Sequence, residues 1–279
     1  MAIENLPTIS ETIAEFGLGA KKSLGQNFIL DLNLTQKIAR QGLSYSEDET
    51  LVEIGPGPGA LTRGILSNGA RNLIALEKDE RCLGALAVLS DAVNGRLQVI
   101  EADAMEIRLR DIAKGPFKII ANLPYNISTQ LLLNWIEGVA DISGLVLMFQ
   151  REVALRLVAE PRSKAYGRFS ILTQLRYQAH IAFDVPPTAF RPAPKVTSSI
   201  VVFKPQASYP EGDLWSAVKL VTRQAFAQRR KMLRKTLQPI FADPIAVLQE
   251  LNFSETARAE ELSPQDFIAL SKIYLKEQP

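Results

Sequence analysis

One cysteine, Cys82, and one histidine, His180, are all that 279 residues contain of two side chains much used for crosslinks and metal ligation. A lone cysteine excludes an internal disulfide, and the pair cannot supply the ligands of a zinc site built from His and Cys. No metal is expected, and a reducing cytoplasm suits such a chain. The start lacks a basic segment followed by an apolar core, and no apolar run approaches the roughly 18 residues of a membrane span, so neither export nor membrane insertion is expected. Charge of one sign is also missing: 32 Lys and Arg stand against 30 Asp and Glu, for a net charge of +2. A nucleic-acid partner therefore has to be argued from the distribution of charge rather than from its total. There is no internal repeat and no low-complexity tract. Apolar residues make up 47% of the chain, enough for one large α/β domain with a small appendage.

Residues 1–20 read as a loosely ordered lead-in. Then come Lys21, Lys22, Ser23, Leu24, Gly25, Gln26, Asn27 and Phe28, two lysines and a flexible turn before a short apolar anchor. This is either a solvated helix-flanking loop or a loop lying over a ligand, with Asn27 supplying hydrogen bonds. Asp31 or Asn33 can cap a helix reaching about residue 40, and 50–54 reads as a buried strand. Gly55-Pro56-Gly57-Pro58-Gly59 separates that strand from a helical stretch over 60–66. Further strands are expected over 72–76, 97–100, 117–121 and 144–149, with a helix over 128–138.

The strand-to-helix loop lets backbone N–H groups approach a ligand, and the new helix adds a positive end. Glu77 follows the second strand near the interval at which an acid takes the ribose hydroxyls of a nucleoside cofactor. Asp103 follows the third. Together the two acids suit a ribose and the amino group of an adenine; taken singly, each also reads as a helix cap or a solvated loop acid. A pyrophosphate-binding loop usually runs G-x-G-x-x-G. Here the register is G-x-G-x-G with Glu53 two residues ahead, similar to the nucleoside-binding loop of S-adenosylmethionine-dependent methyltransferases.

The fourth strand runs into Asn122-Leu123-Pro124-Tyr125. Proline cannot donate to a ladder and makes the preceding residue extended, so the strand's exit has a defined direction. Asn122 carries a donor and an acceptor, and Tyr125 offers a flat face, a pairing suited to a planar ring bearing an amino group. An Asx turn over a packed tyrosine is the alternative. In open α/β sheets ligands bind at the carboxyl ends of the strands, where loop, acids and this motif converge.

Gln150-Arg151-Glu152 opens another helix, either as a phosphate contact or as a solvated helix start. Past Tyr166-Gly167-Arg168-Phe169-Ser170 and a helix, two strands are expected around 181–185 and 199–204. Between them the prolines of Phe190-Arg191-Pro192-Ala193-Pro194-Lys195-Val196 hold Phe190 at a loop start, or else Phe190 is a core residue. Residues 205–212 read as a linker to a helical tail. Arg223, Arg229, Arg230, Lys231, Arg234 and Lys235 lie there, with no acid between Asp213 and Asp243. A merely solvated face usually mixes both signs, so this stretch reads as a phosphate-backbone footprint.

Five stretches in order, 23–28, 53–57, 122–128, 190–196 and the basic tail, resemble the KsgA-type ribosomal RNA adenine N6,N6-dimethyltransferases over nearly the whole chain. The resemblance implies a Rossmann-like α/β methyltransferase domain over 1–205 and a small all-α, RNA-contacting domain over 206–279. It implies S-adenosylmethionine as cofactor, held by Asn27, Ile29, Gly55, Gly57, Glu77, Asp103 and Asn122. Asn122 and the Leu123 carbonyl would accept hydrogens from the adenine N6, while Tyr125 and Phe190 would stack on a flipped-out base. The implied substrate is two adjacent adenosines near the 3′ end of 16S rRNA in a 30S subunit or its precursor, modified by a monomeric enzyme that also serves ribosome biogenesis. Ala193 and Thr197 depart from the proline and aspartate common in the family. The rivals are a large-subunit methyltransferase of the macrolide-resistance type, which 123 and 126–128 disfavour, and a non-catalytic assembly factor, which an intact Asn122, Glu77 and Asp103 disfavour. A nicotinamide oxidoreductase is disfavoured by the glycine register.

Overall fold

The structure is a computed structural model and describes residues 3–21, 24–41, 49–138, 141–228 and 230–278; Lys22, Ser23 and Arg229, singled out by sequence, lie outside them. The order begins α1 (Ile9–Glu15), β1 (Phe28–Ile29), α2 (Leu32–Ala39), β2 (Thr50–Ile54), α3 (Ala60–Ser67), β3 (Leu73–Glu77), α4 (Leu83–Ala92) and β4 (Leu97–Glu101). It continues α5 (Leu109–Ile112), β5 (Phe117–Ala121), α6 (Tyr125–Gly138), β6 (Ile142–Gln150), α7 (Arg151–Leu157), α8 (Arg168–Arg176), β7 (Tyr177–Val185), β8 (Phe190–Arg191) and β9 (Ser198–Pro205). The tail contributes α9 (Gly212–Ala225), α10 (Leu233–Thr236), α11 (Pro244–Glu250) and α12 (Pro264–Glu277).

Seven strands form one sheet in the order β4-β3-β2-β5-β6-β9-β7. β2 pairs in parallel with β3 and β5, as do β3 with β4 and β5 with β6, whereas β9 runs antiparallel to β6. Every residue of β2, β3 and β5 is buried, as expected of strands covered on both faces. The chain builds outward from β2 through β3 to β4, then returns to β5 on the other side. That reversal opens a crevice at the carboxyl ends of β2 and β5.

Two compact units result, Met1–Ala154 with His180–Lys204 and Leu155–Ala179 with Pro205–Pro279. This differs from the division expected at 205/206. Within the second unit the Tyr166 hydroxyl donates to the Leu262 carbonyl (2.8 Å), Arg162 N–H to Glu260 O (2.7 Å) and Gln206 N–H to Arg176 O (2.8 Å). The Arg176 guanidinium lies 4.4 Å from the Tyr209 ring and 4.5 Å from that of Trp215. These contacts fasten 155–179 to the C-terminal helices across a stretch of sequence that local patterning does not bridge.

The lead-in is also more ordered than expected. Thr8 and Glu11 form a capping box at the start of α1, Arg63 donates to the Pro7 carbonyl and to Thr12 Oγ1, and Leu18 packs fully buried with Cys82, Ala85 and Leu86. Burial pushes the Cys82 thiol up to about 12, so it stays a protonated core residue.

Candidate functional site

A cavity of about 250 Å³ lies at the carboxyl ends of β2 to β5, walled by 24–29, the glycine loop, 76–79, 102–105 and 122–127. Asn27, Ile29, Gly55, Gly57, Glu77, Asp103, Asn122, Leu123 and Tyr125 all line it. The glycine loop owes its shape to left-handed backbone: Gly57 has φ +56°, and a Cβ there would meet the Phe28 ring at 3.1 Å. The Gly57 N–H donates to Glu77 Oε2 (2.8 Å) and the Asp79 N–H to Oε1 (2.7 Å). Burial pushes the Glu77 carboxyl up, while those two N–H groups pull it down. Glu53, 1% exposed in β2 and off the cavity wall, is pushed up by burial to about 8.

Asp103 is held in the opposite sense. Lys78 Nζ lies 2.5 Å from its Oδ2 and the Met105 N–H donates to Oδ1 (2.9 Å), so its carboxyl sits below the usual range. It presents an ionised, acceptor-only edge to the cavity. Asp79 is drawn down to about 2, chiefly by the Arg81 guanidinium, which reaches it at 2.9 and 2.5 Å.

At the β5 end the groups are uncharged. Asn122 Nδ2 donates to the Asn27 carbonyl (3.3 Å), and Oδ1 accepts from no described residue. The Tyr125 hydroxyl meets Ser198 Oγ at 2.6 Å, which pins the half-buried ring by its far end, and burial raises its pKa. α6 starts at Tyr125 rather than at 128, because the Pro124 carbonyl already accepts from the Ile127 and Ser128 N–H groups, both at 3.1 Å. The ring is thus fixed by a helix start as well as by its hydroxyl.

Phe190 is not brought to the cavity. It pairs with Ile29 between β8 and β1, is 0% exposed and belongs to the main core, so the expectation that prolines hold it out at a loop start is corrected. Arg151, a candidate phosphate contact, is instead paired with Asp184 (2.9 Å). Arg223, Arg230, Lys231, Arg234 and Lys235 lie in the second unit, all exposed except the partly covered Arg234. Sequence reasoning passed over two groups that line the cavity, Gln26 and Asp79, and one that holds its wall from behind, Ser198. Ser198 carries no motif of its own, while Gln26 and Asp79 each sit one or two places from a chosen residue, and only their mutual bond of 2.9 Å singles them out.

The sequence model of the ribosomal RNA adenine dimethylase family matches residues 17–276. A protein of Azorhizobium caulinodans named ribosomal RNA small subunit methyltransferase A is 50% identical, covering 98% of this chain and 94% of that one. The protein of that name from Xanthobacter autotrophicus is also 50% identical, over 98% and 96%. Among solved structures, a dimethyladenosine transferase from Plasmodium falciparum superimposes with a TM-score of 0.80 at 24% identity, covering 89% of this chain and 98% of that one. The 23S rRNA methyltransferase ErmE does so with 0.70 at 22%, over 90% and 100%. Both share the fold.

Proposed function

The chain belongs to the ribosomal RNA adenine dimethylase family, and from that membership we propose that it dimethylates N6 of two adjacent adenosines near the 3′ end of 16S rRNA. It is an S-adenosylmethionine-dependent methyltransferase. The substrate is the small subunit or its precursor, met in the cytoplasm by a monomeric enzyme that also serves ribosome biogenesis. One observation carries the assignment of roles: acids suited to a nucleoside and neutral acceptors suited to an amino group line the same cavity.

The residues fit the cofactor. Glu77 keeps lone pairs for two ribose hydroxyls, and Asp103 is held ionised to accept from the adenine amino group. Asn27, Ile29, Gly55 and Gly57 close around the remainder. The bound cofactor supplies a methyl group on a positively charged sulfur. The protein then has to orient the nitrogen, whose lone pair is otherwise delocalised into the purine. Asn122 Oδ1 and the Leu123 carbonyl accept the two N6 hydrogens, which favours a pyramidal nitrogen and stabilises the positive charge it develops. Tyr125 stacks on the extruded base, an interaction of roughly 1–3 kcal/mol. Arg223, Arg230, Lys231, Arg234 and Lys235 contact phosphates from α9, α10 and the turn between them.

Transfer of tritium from labelled cofactor to purified, unmethylated 30S particles and, in a parallel reaction, to purified 23S rRNA tests the reading. Label in adenines near the 3′ end of 16S rRNA is the expected result. Label in 23S rRNA would favour the macrolide-resistance type, whose fold is shared, and label in neither would leave a non-catalytic assembly factor.

A further inference from the structure

We propose that Gln26, Asp79 and Arg81 form a clasp that positions Asn122, through the backbone of residues 24–27. This rests on the methyl-transfer reading above. Residues 24–27 contain no α-helix or strand, so no ladder holds them. Beyond the local bonds from the Leu24 and Gln26 N–H groups to the Lys21 carbonyl, they are fastened on two sides. On one side Gln26 Nε2 donates to Asp79 Oδ2 (2.9 Å) while its Oε1 accepts from the Lys21 N–H (2.9 Å). On the other side the Asn27 carbonyl accepts from Asn122 Nδ2 (3.3 Å), and Gly25 packs against the start of α6, where a Cβ would come within 3.0 Å of Asn126 Oδ1 and 3.3 Å of Pro124 Cβ.

The anchor is itself fixed. Asp79 is 6% exposed and gripped at both oxygens by Arg81, whose Nη1 donates to the Gly19 carbonyl (3.1 Å). The Asp79 N–H meanwhile donates to Glu77 Oε1 (2.7 Å), so the clasp shares an acid with the nucleoside end.

The consequence lies in the symmetry of a carboxamide. Its two ends are alike in shape and opposite in hydrogen bonding, so a half-turn of the Asn122 side chain would present a donor to the N6 hydrogens. The Asn27 carbonyl prevents this by occupying the NH2 end, but only while residues 24–27 stay in place. Asp79 and Gln26 are therefore positioning residues, acting on the reacting nitrogen through Asn122.

Gln26→Met, Asp79→Asn and the double variant test the clasp by methyl-transfer kinetics, calorimetry with S-adenosylhomocysteine, melting and amide exchange. In Gln26→Met, turnover at saturating cofactor should fall by about tenfold or more, with a smaller change in cofactor affinity and an unchanged melting temperature. The double variant should be no worse than the worse single one, since both cut the same connection. In Asp79→Asn, where Gln26 itself is intact, the Lys21 amide should lose protection, because the Gln26 side chain that accepts from it is no longer anchored. Unchanged turnover in Gln26→Met beside an active parent, additive losses, or an equally protected Lys21 amide would each overturn the clasp. An inactive parent would count against the methyl-transfer reading, and the exchange measurement would still decide the clasp.

Discussion

The two ends of the cavity are built from different chemistry. At the β2–β4 end stand carboxylates: Glu77 is pushed up by burial, while Asp103 is held down by Lys78 and Asp79 by Arg81. At the β5 end the groups are an amide, a backbone carbonyl and a neutral phenol whose pKa burial raises further. Charge serves to hold a polar, hydroxyl-rich partner, whereas the transfer end has only to orient a nitrogen and accept its hydrogens. It follows that pH should act on binding and leave the transfer step alone.

The largest effect tests whether the transfer end has a second aromatic face. Phe190→Ala removes a fully buried ring and should cost about 3–5 kcal/mol of stability, read as a lower melting temperature. Normal melting with lost turnover would instead assign Phe190 to the transfer end. Next, Asn122→Ala should lower turnover by about a hundredfold to a thousandfold, as when one preorganised partner of a developing charge is removed. An equal loss of cofactor affinity would move Asn122 to the other end. Glu77→Ala removes an acceptor of two hydrogen bonds and should weaken cofactor binding by roughly one to two orders of magnitude in calorimetry, with turnover at saturating cofactor preserved.

The smallest effect is that of pH. Because the folded pKa of Glu77 is raised, its carboxylate is lost at a higher pH than that of a free Glu, and protonation turns one acceptor into a donor. Cofactor affinity should thus be full above that pKa and fall as pH is lowered through it, while turnover at saturation stays flat. A turnover that followed the same titration would break the comparison.

Much of this cavity was legible because it sits at strand ends. The alternation of strands and helices places 55–59, Glu77, Asp103 and Asn122 on one edge of a parallel sheet, whatever the details of packing. β2 and β5 begin and end at the residues expected from their apolar runs. Phe190 was misjudged for a reason equally physical. Prolines restrict the backbone of 192 and 194 but do not say what pairs with 190, and the partner, Ile29, is remote in sequence.

By itself, then, the sequence determined the sheet, the glycine loop, the acids and the Asn122–Tyr125 motif, since each follows from local spacing and from the backbone limits of glycine and proline. Tertiary structure alone decided the burial of Phe190, the union of 155–179 with the C-terminal helices, the hold of Ser198 on Tyr125 and the bond from Gln26 to Asp79. Each of these joins residues that no local pattern relates. Ser198 lies 73 positions from Tyr125, and Asp79 lies 53 from Gln26. Contacts of that kind exist only once the sheet and the core have brought the segments together.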